Sequence, residues 1–117
     1  PTTDLGQALV ATGFSFDAER RRRQAAALTT ILPEIADIRR MGSAALDLCG
    51  VALGRVDAYY EQGLNEWDLA AGALVAAEAG AVVDLPSTTG PSSRIVAAAP
   101  GIADDLRALL GRAGLIA

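Results

Sequence analysis

Two segments of this chain are apolar on nearly every face, and they constrain the fold more than any other feature. Ser43 to Leu53 carries a single charge, Asp47, and Glu66 to Ala79 is uncharged from Leu69 to Ala77. Each is followed by a glycine, Gly54 or Gly80, placed where a helix commonly ends. Helices of this kind need cover on more than one side. Shorter runs around them, at 7–12, 37–41, 56–60, 81–85 and 94–98, read as strands. Asp17 opens another helical stretch to about Leu32, where Pro33 ends it, and Ile102 to Arg112 reads as a terminal amphipathic helix. Strands alternating with such helices predict an α/β fold, a layered sandwich with helices flanking a mostly parallel or mixed sheet. A single sheet covers one side of the two apolar helices. Further helices or another domain must cover the rest.

The 117 residues show no internal repeat and no dividing linker, so they read as one domain. The Pro-Ser-Thr-Thr-Gly-Pro-Ser-Ser stretch at 86–93 is expected to be a surface connection. The chain begins at Pro1 without an initiator Met, which reads as a processed or truncated piece of something longer. There is no His, and all ten basic residues are Arg. That excludes Ser-His-Asp and Cys-His nucleophiles, histidine metal sites and Schiff-base chemistry. A net charge of −4 argues against a nucleic-acid partner, whose phosphates need a basic surface. No run approaches the ~20 apolar residues that span a bilayer, and no signal peptide is visible. Cys49 is the only cysteine, so a reducing, cytoplasmic setting is expected.

Chemistry is therefore left to carboxylates, hydroxyls, backbone groups and arginines. The run Arg20 to Arg23 reads as a solvated helix face, aided by Asp17 and Glu19 in the first turn. In Gly42-Ser43-Ala44, a glycine and a serine at a helix start let backbone N–H groups approach an anion or a hydroxyl. The plainer reading makes Ser43 an N-cap. Glu61 stands at the end of a predicted strand, where open α/β sheets place their ligands; otherwise it is a solvated turn residue. Asp68 follows Asn65 at capping-box spacing, the plainer reading; the other makes its carboxylate a ligand for a hard cation such as Mg²⁺.

Taken together, these pieces resemble the inositol monophosphatase family. The resemblance lies in Arg-Arg-Met-Gly-Ser-Ala-Ala-Leu-Asp-Leu-Cys (39–49), Gly-Arg-Val-Asp-Ala-Tyr-Tyr-Glu (54–61), Trp-Asp-Leu-Ala-Ala-Gly (67–72) and Glu-Ala-Gly (78–80). The spacings of 19 from Gly42 to Glu61 and 7 from Glu61 to Asp68 are similar too. It runs from about Leu5 to Arg112 and looks like the C-terminal half of a bacterial member. The resemblance implies Mg²⁺-dependent, lithium-sensitive hydrolysis of a phosphate monoester, with inositol phosphate the usual substrate. Asp68 would be the metal-ligand Asp and so catalytic, Glu61 the acidic residue on substrate hydroxyls, and Gly42, Ser43 and Ala44 the stretch holding the sugar-like ring.

The family's earlier acidic motif and its Asp-Pro-hydrophobic-Asp-Gly-Thr motif do not occur in this sequence. The N-terminal catalytic half is thus expected to lie outside this chain, which alone should be inactive. Relatives also use fructose 1,6-bisphosphate, histidinol phosphate or nucleotide 3′-phosphates. Family members commonly form homodimers, which the all-round apolar helices suit. A different class of function, a non-catalytic accessory factor docking on the transcription machinery, has its only sequence hint in Arg39 and Arg40.

Overall fold

The computed structural model describes residues 2–64, 66–85 and 93–115, with residues 66–68 described for their backbone alone. Among these, five strands and four α-helices follow one another as β1 (Leu9–Thr12), α1 (Ala18–Ile31), β2 (Asp37–Arg39), α2 (Ala44–Ala52), β3 (Ala58–Gln62), α3 (Glu66–Glu78), β4 (Val82–Asp84), β5 (Arg94–Ala98) and α4 (Ala103–Arg112). The sheet order is β2-β1-β3-β5-β4. β1, β2 and β3 are parallel, β5 runs antiparallel to β3, and β4 antiparallel to β5. The expected layered α/β sandwich with a mixed sheet is what forms.

Alternation along the strands sorts the core into two layers. Val10, Ala58, Tyr60, Val96 and Ala98 face α1 and α4, where Ile31, Ile102, Leu106, Leu109 and Leu110 meet them. Ala11, Tyr59, Ile95 and Ala97 face α2 and α3, against Leu48, Val51, Leu69, Ala73 and Ala76. Gly72 lets α3 approach α2 closely, because a Cβ there would stand 2.9 Å from Leu48 Cβ and Cδ1. The outer side of this helix pair stays bare: Leu46, Leu53 and Leu74 are all more than half exposed. No described element of this chain supplies the second cover that the sequence calls for.

The helix signals act as read. Asp17 caps α1 by accepting from the Arg20 N–H at 2.9 Å, and Ser43 caps α2. Pro33 falls in a 3₁₀ turn, Leu32–Glu34, that ends the helix. Strand boundaries differ more: β2 stops at Arg39, two residues before its run ends, β3 runs on to Gln62, and β4 is one residue shorter at each end. The first run splits into a 3₁₀ turn at Leu5–Gln7 and the strand proper, because Asp4 accepts from the Gly6 N–H and turns the chain. The third strand starts two residues later than its apolar run: Val56 is drawn to Gly50 at the end of α2, and the Asp57 carboxylate takes the Leu9 N–H at 2.8 Å. Arg107 clamps β4 to α4 through two 2.7 Å contacts with Asp84. The 86–92 connection and the proposed cap Asn65 lie outside the described residues.

Candidate functional site

Because β1, β2 and β3 run parallel, their C-terminal ends share one edge of the sheet, and the segments leaving them meet there. They enclose an open cleft of about 510 Å³. Gly13, Phe14 and Phe16 come from beyond β1, Arg40 and Gly42 to Ala45 from beyond β2, and Glu61 and Leu64 from β3 and its exit. Gly42, Ser43, Ala44 and Glu61, each singled out from sequence, thus line one space.

Gly42 has φ of 82°, a conformation that other residues adopt at a cost, and it turns the chain from β2 into α2. Ser43 Oγ accepts the Leu46 N–H at 3.3 Å, so the hydroxyl hydrogen is left to point elsewhere. Ala44 and Ala45 occupy the first turn, where the helix itself offers their N–H groups no acceptor. The cap reading and the ligand reading of Ser43 are therefore compatible. This wall presents donors, assisted by the positive end of the helix dipole.

The facing wall presents an acceptor. Tyr59, fully buried, donates its hydroxyl to Glu61 Oε1 at 2.7 Å. Gly13 lies under the same carboxylate: a Cβ there would collide with both of its oxygens and its carbon. A tyrosine at the side and a missing side chain below fix where the Glu61 carboxylate stands.

Asp47, on the first turn of α2, was read from sequence only as the one charge in an apolar helix. It is 2% exposed, and its Oδ1 has no hydrogen-bond partner among the described residues. Burial pushes its carboxyl up to about 6, and the negative charge of Glu61 adds to the rise; the Met41 backbone N–H and Arg40 act in the opposite sense. Phe14 was also missed. Its ring lies 5.7 Å from the Arg40 guanidinium carbon and 5.9 Å from that of Arg21. A lone charge in an apolar helix and an aromatic just past a strand-ending glycine were the available signals. Of the arginine run, Arg22 and Arg23 are solvated and pair with Glu19, whereas Arg20 and Arg21 fold back onto Ser15. Arg39 pairs with Asp37 at 3.0 Å and stays outside the cleft.

Asp68 enters through α3, and its side chain lies outside the described residues. Among the described residues, no three Asp, Glu, Cys or His side chains gather in a way that could hold a metal ion. The donor chemistry is all oxygen, which suits a hard cation, but the described carboxylates do not complete a cation site.

A polar cleft at the C-terminal edge of parallel strands, beside a helix N-terminus, is where open α/β sheets commonly bind small molecules. The chain belongs to the inositol monophosphatase family, whose sequence pattern matches residues 1–113. It is 58% identical over 112 residues to an inositol-1-monophosphatase of Mycobacterium leprae, covering 93% of this chain and 38% of that protein. It is 46% identical over 107 residues to a protein of Pasteurella multocida named Nus factor SuhB, covering 88% of this chain and 40% of that one. The solved structure of Mycobacterium tuberculosis SuhB superposes with a TM-score of 0.91 at 52% identity, over all of this chain and 46% of that one. The chain thus spans less than half the length of these relatives. No helix among the described residues is long and apolar enough to cross a membrane.

Proposed function

We propose that this chain forms the polyol-binding wall of a Mg²⁺-dependent phosphomonoesterase acting on inositol monophosphate or a related sugar phosphate. The observation that carries this reading is the convergence of Glu61 with Gly42, Ser43 and Ala44 on one cleft within a chain of this family. Glu61 accepts hydrogen bonds from ring hydroxyls in a geometry that Tyr59 and Gly13 maintain. The Ala44 and Ala45 N–H groups and the Ser43 hydroxyl donate to ring oxygens from the other side. These contacts orient the ring and leave its phosphate ester uncovered.

Asp68 is the residue we assign to Mg²⁺, which in such phosphatases orients and activates water and steadies the leaving alkoxide. One carboxylate does not hold such an ion tightly, so the remaining ligands come from an N-terminal half and this chain alone turns nothing over. The bare leucines on α2 and α3 support a further covering surface, from that half or from a second copy in a homodimer. The lone Cys49 suits a reducing, cytoplasmic setting.

Calorimetric titration of the chain with myo-inositol 1-phosphate, beside a phosphate-release assay with Mg²⁺, tests this reading. Binding without turnover is expected, with Glu61→Gln weakening binding by roughly tenfold, the scale of one hydrogen bond to a charged group. Lithium-sensitive turnover by the chain alone overturns its assignment as an incomplete half. The same affinity in Glu61→Gln overturns the polyol wall.

The relatives named Nus factor support a second reading, a docking module for the transcription machinery. Arg39→Glu tests it without entering the cleft. Recovery of the same partners by wild type and variant removes Arg39 from that role.

A further inference from the structure

Two arginines from different elements share the Phe14 ring. Arg22, Arg23, Arg39 and Arg107 each have a carboxylate within 4.0 Å, in a chain carrying 14 acidic and ten basic residues. Arg21 and Arg40 have no such ion pair among the described residues, yet both are held in place. Arg21 donates to the Ser15 carbonyl at 3.1 Å, and both guanidinium carbons lie within 6 Å of one ring centroid. They come from different elements, α1 and the exit of β2, and the segment beyond β1 delivers the ring they share. Arg40 borders the cleft beside Gly42, where a Cβ would lie 3.7 Å from its Nη1. Asp47, sealed beneath, senses Arg40 without forming an ion pair with it.

Two guanidinium groups share one aromatic ring, and its quadrupole offsets only part of their positive charge. An anion beside Arg40 in the cleft offsets more of it, and the planar guanidinium fork matches phosphate or carboxylate oxygens in pairs. Side chains already seated on a ring lose little freedom when such an anion arrives. The cleft is therefore polarised, with the Glu61 acceptor on one wall and a preassembled cation on the other.

We propose that Arg40, supported by Arg21 on the Phe14 ring, forms a subsite for a second anionic group on the ligand, so that the cleft prefers a doubly anionic polyol to a singly anionic one. The preference for a polyol rests on the function proposed above; the anion subsite does not.

Amide NMR of the 117-residue chain at low ionic strength separates the two. The probes are inorganic phosphate, neutral myo-inositol, myo-inositol 1-phosphate and myo-inositol 1,4-bisphosphate. Phosphate alone is expected to move the Phe14, Arg40 and Gly42 amides. The bisphosphate should bind roughly tenfold more tightly than the monophosphate, the worth of one charge-assisted hydrogen bond. Arg40→Gln should abolish that preference while leaving the response to myo-inositol at Glu61 intact. Arg40→Lys should keep part of the preference, and Phe14→Leu, which unseats the guanidinium without removing it, should lose most. Silence of the Phe14 and Gly42 amides toward phosphate overturns the subsite, as does an Arg40→Gln variant that weakens both phosphates by the same factor. Silence of Glu61 toward myo-inositol with phosphate still bound supports the subsite and overturns the polyol wall instead.

Discussion

The α-carbon of Gly13 supports the carboxylate of Glu61. The two residues stand one step beyond the Thr12–Tyr60 pair of β1 and β3, on the sheet face that looks toward α2, and no side chain larger than hydrogen fits beneath that carboxylate. The Tyr59 hydroxyl holds the same group from the side. The position of the acidic group in the cleft is thus set by Gly13 below and Tyr59 at the side.

Replacing Gly13 with alanine should leave the fold intact, since the backbone there needs no left-handed conformation and the obstructing atoms are the far end of a flexible side chain. The carboxylate must move. Affinity for myo-inositol 1-phosphate is expected to fall by roughly tenfold, comparable to losing one charged hydrogen bond, with thermal unfolding little changed. A crystal structure of the variant showing Glu61 in its original place would remove Gly13 from this role.

Tyr59→Phe takes away a buried hydroxyl and leaves Glu61 Oε1 without that donor. A stability loss of about 1 kcal/mol is expected, the net worth of one such bond. Glu61, now less confined, should show broadened side-chain signals in NMR and a weaker grip on polyols. Unchanged Glu61 signals would mean that the hydrogen bond does not confine it.

Asp47 places a pH-dependent cost on the folded state. Its folded value of about 6 lies above the ordinary aspartate value of 3.8, so the native state holds the proton more tightly than the unfolded chain does. This contribution is absent near pH 4, and stability declines as pH rises from there through 6. Asp47→Asn removes the ionisation while keeping the shape. At pH 7.5 the variant should be more stable than wild type by about 2 kcal/mol, and near pH 4 the two should converge. Denaturant unfolding at both values measures this, and a pH-independent difference would contradict it.

Two glycine-to-alanine substitutions should act in opposite directions. At Gly72 the new methyl meets Leu48 Cβ, which is anchored to the α2 backbone, so the helix pair must separate at a cost of about 1–3 kcal/mol. Gly111, in α4, has nothing within 4 Å of an added Cβ, and alanine there should stabilise by about 0.5–1 kcal/mol. Unfolding midpoints of the two variants on either side of wild type are the expected result.

Local signals were legible wherever the chemistry was local. Ser43 before α2, Asp17 before α1 and the glycines after the apolar helices each act on groups a few residues away, and the elements begin or end where they indicate. The third strand was misplaced because its start is decided by a partner. Val10 pairs with Ala58, and Asp57 reaches Leu9 across 48 positions of chain, neither of which an apolar run reveals. The site divides in the same way. Strand ends and helix starts made Gly42, Ser43, Ala44 and Glu61 candidates, but those signals alone favoured a plain cap and a plain turn, and it was the family resemblance that singled them out. The burial of Asp47 and the meeting of Phe14 with Arg21 and Arg40 depend on three elements coming together, and spacing along the chain carries no trace of it.

The parallel run of β1, β2 and β3 also separates two tasks that evolution can then handle independently. Every described residue bordering the cleft sits at a strand's last positions, in the segment that follows, or on the opening turn of α2, while the packed layers lie behind them. Ligand choice can be rewritten by exchanging side chains along this rim, with the interior left as it is. A library confined to Phe14, Phe16, Arg40 and Leu64 is the economical place to search for altered selectivity.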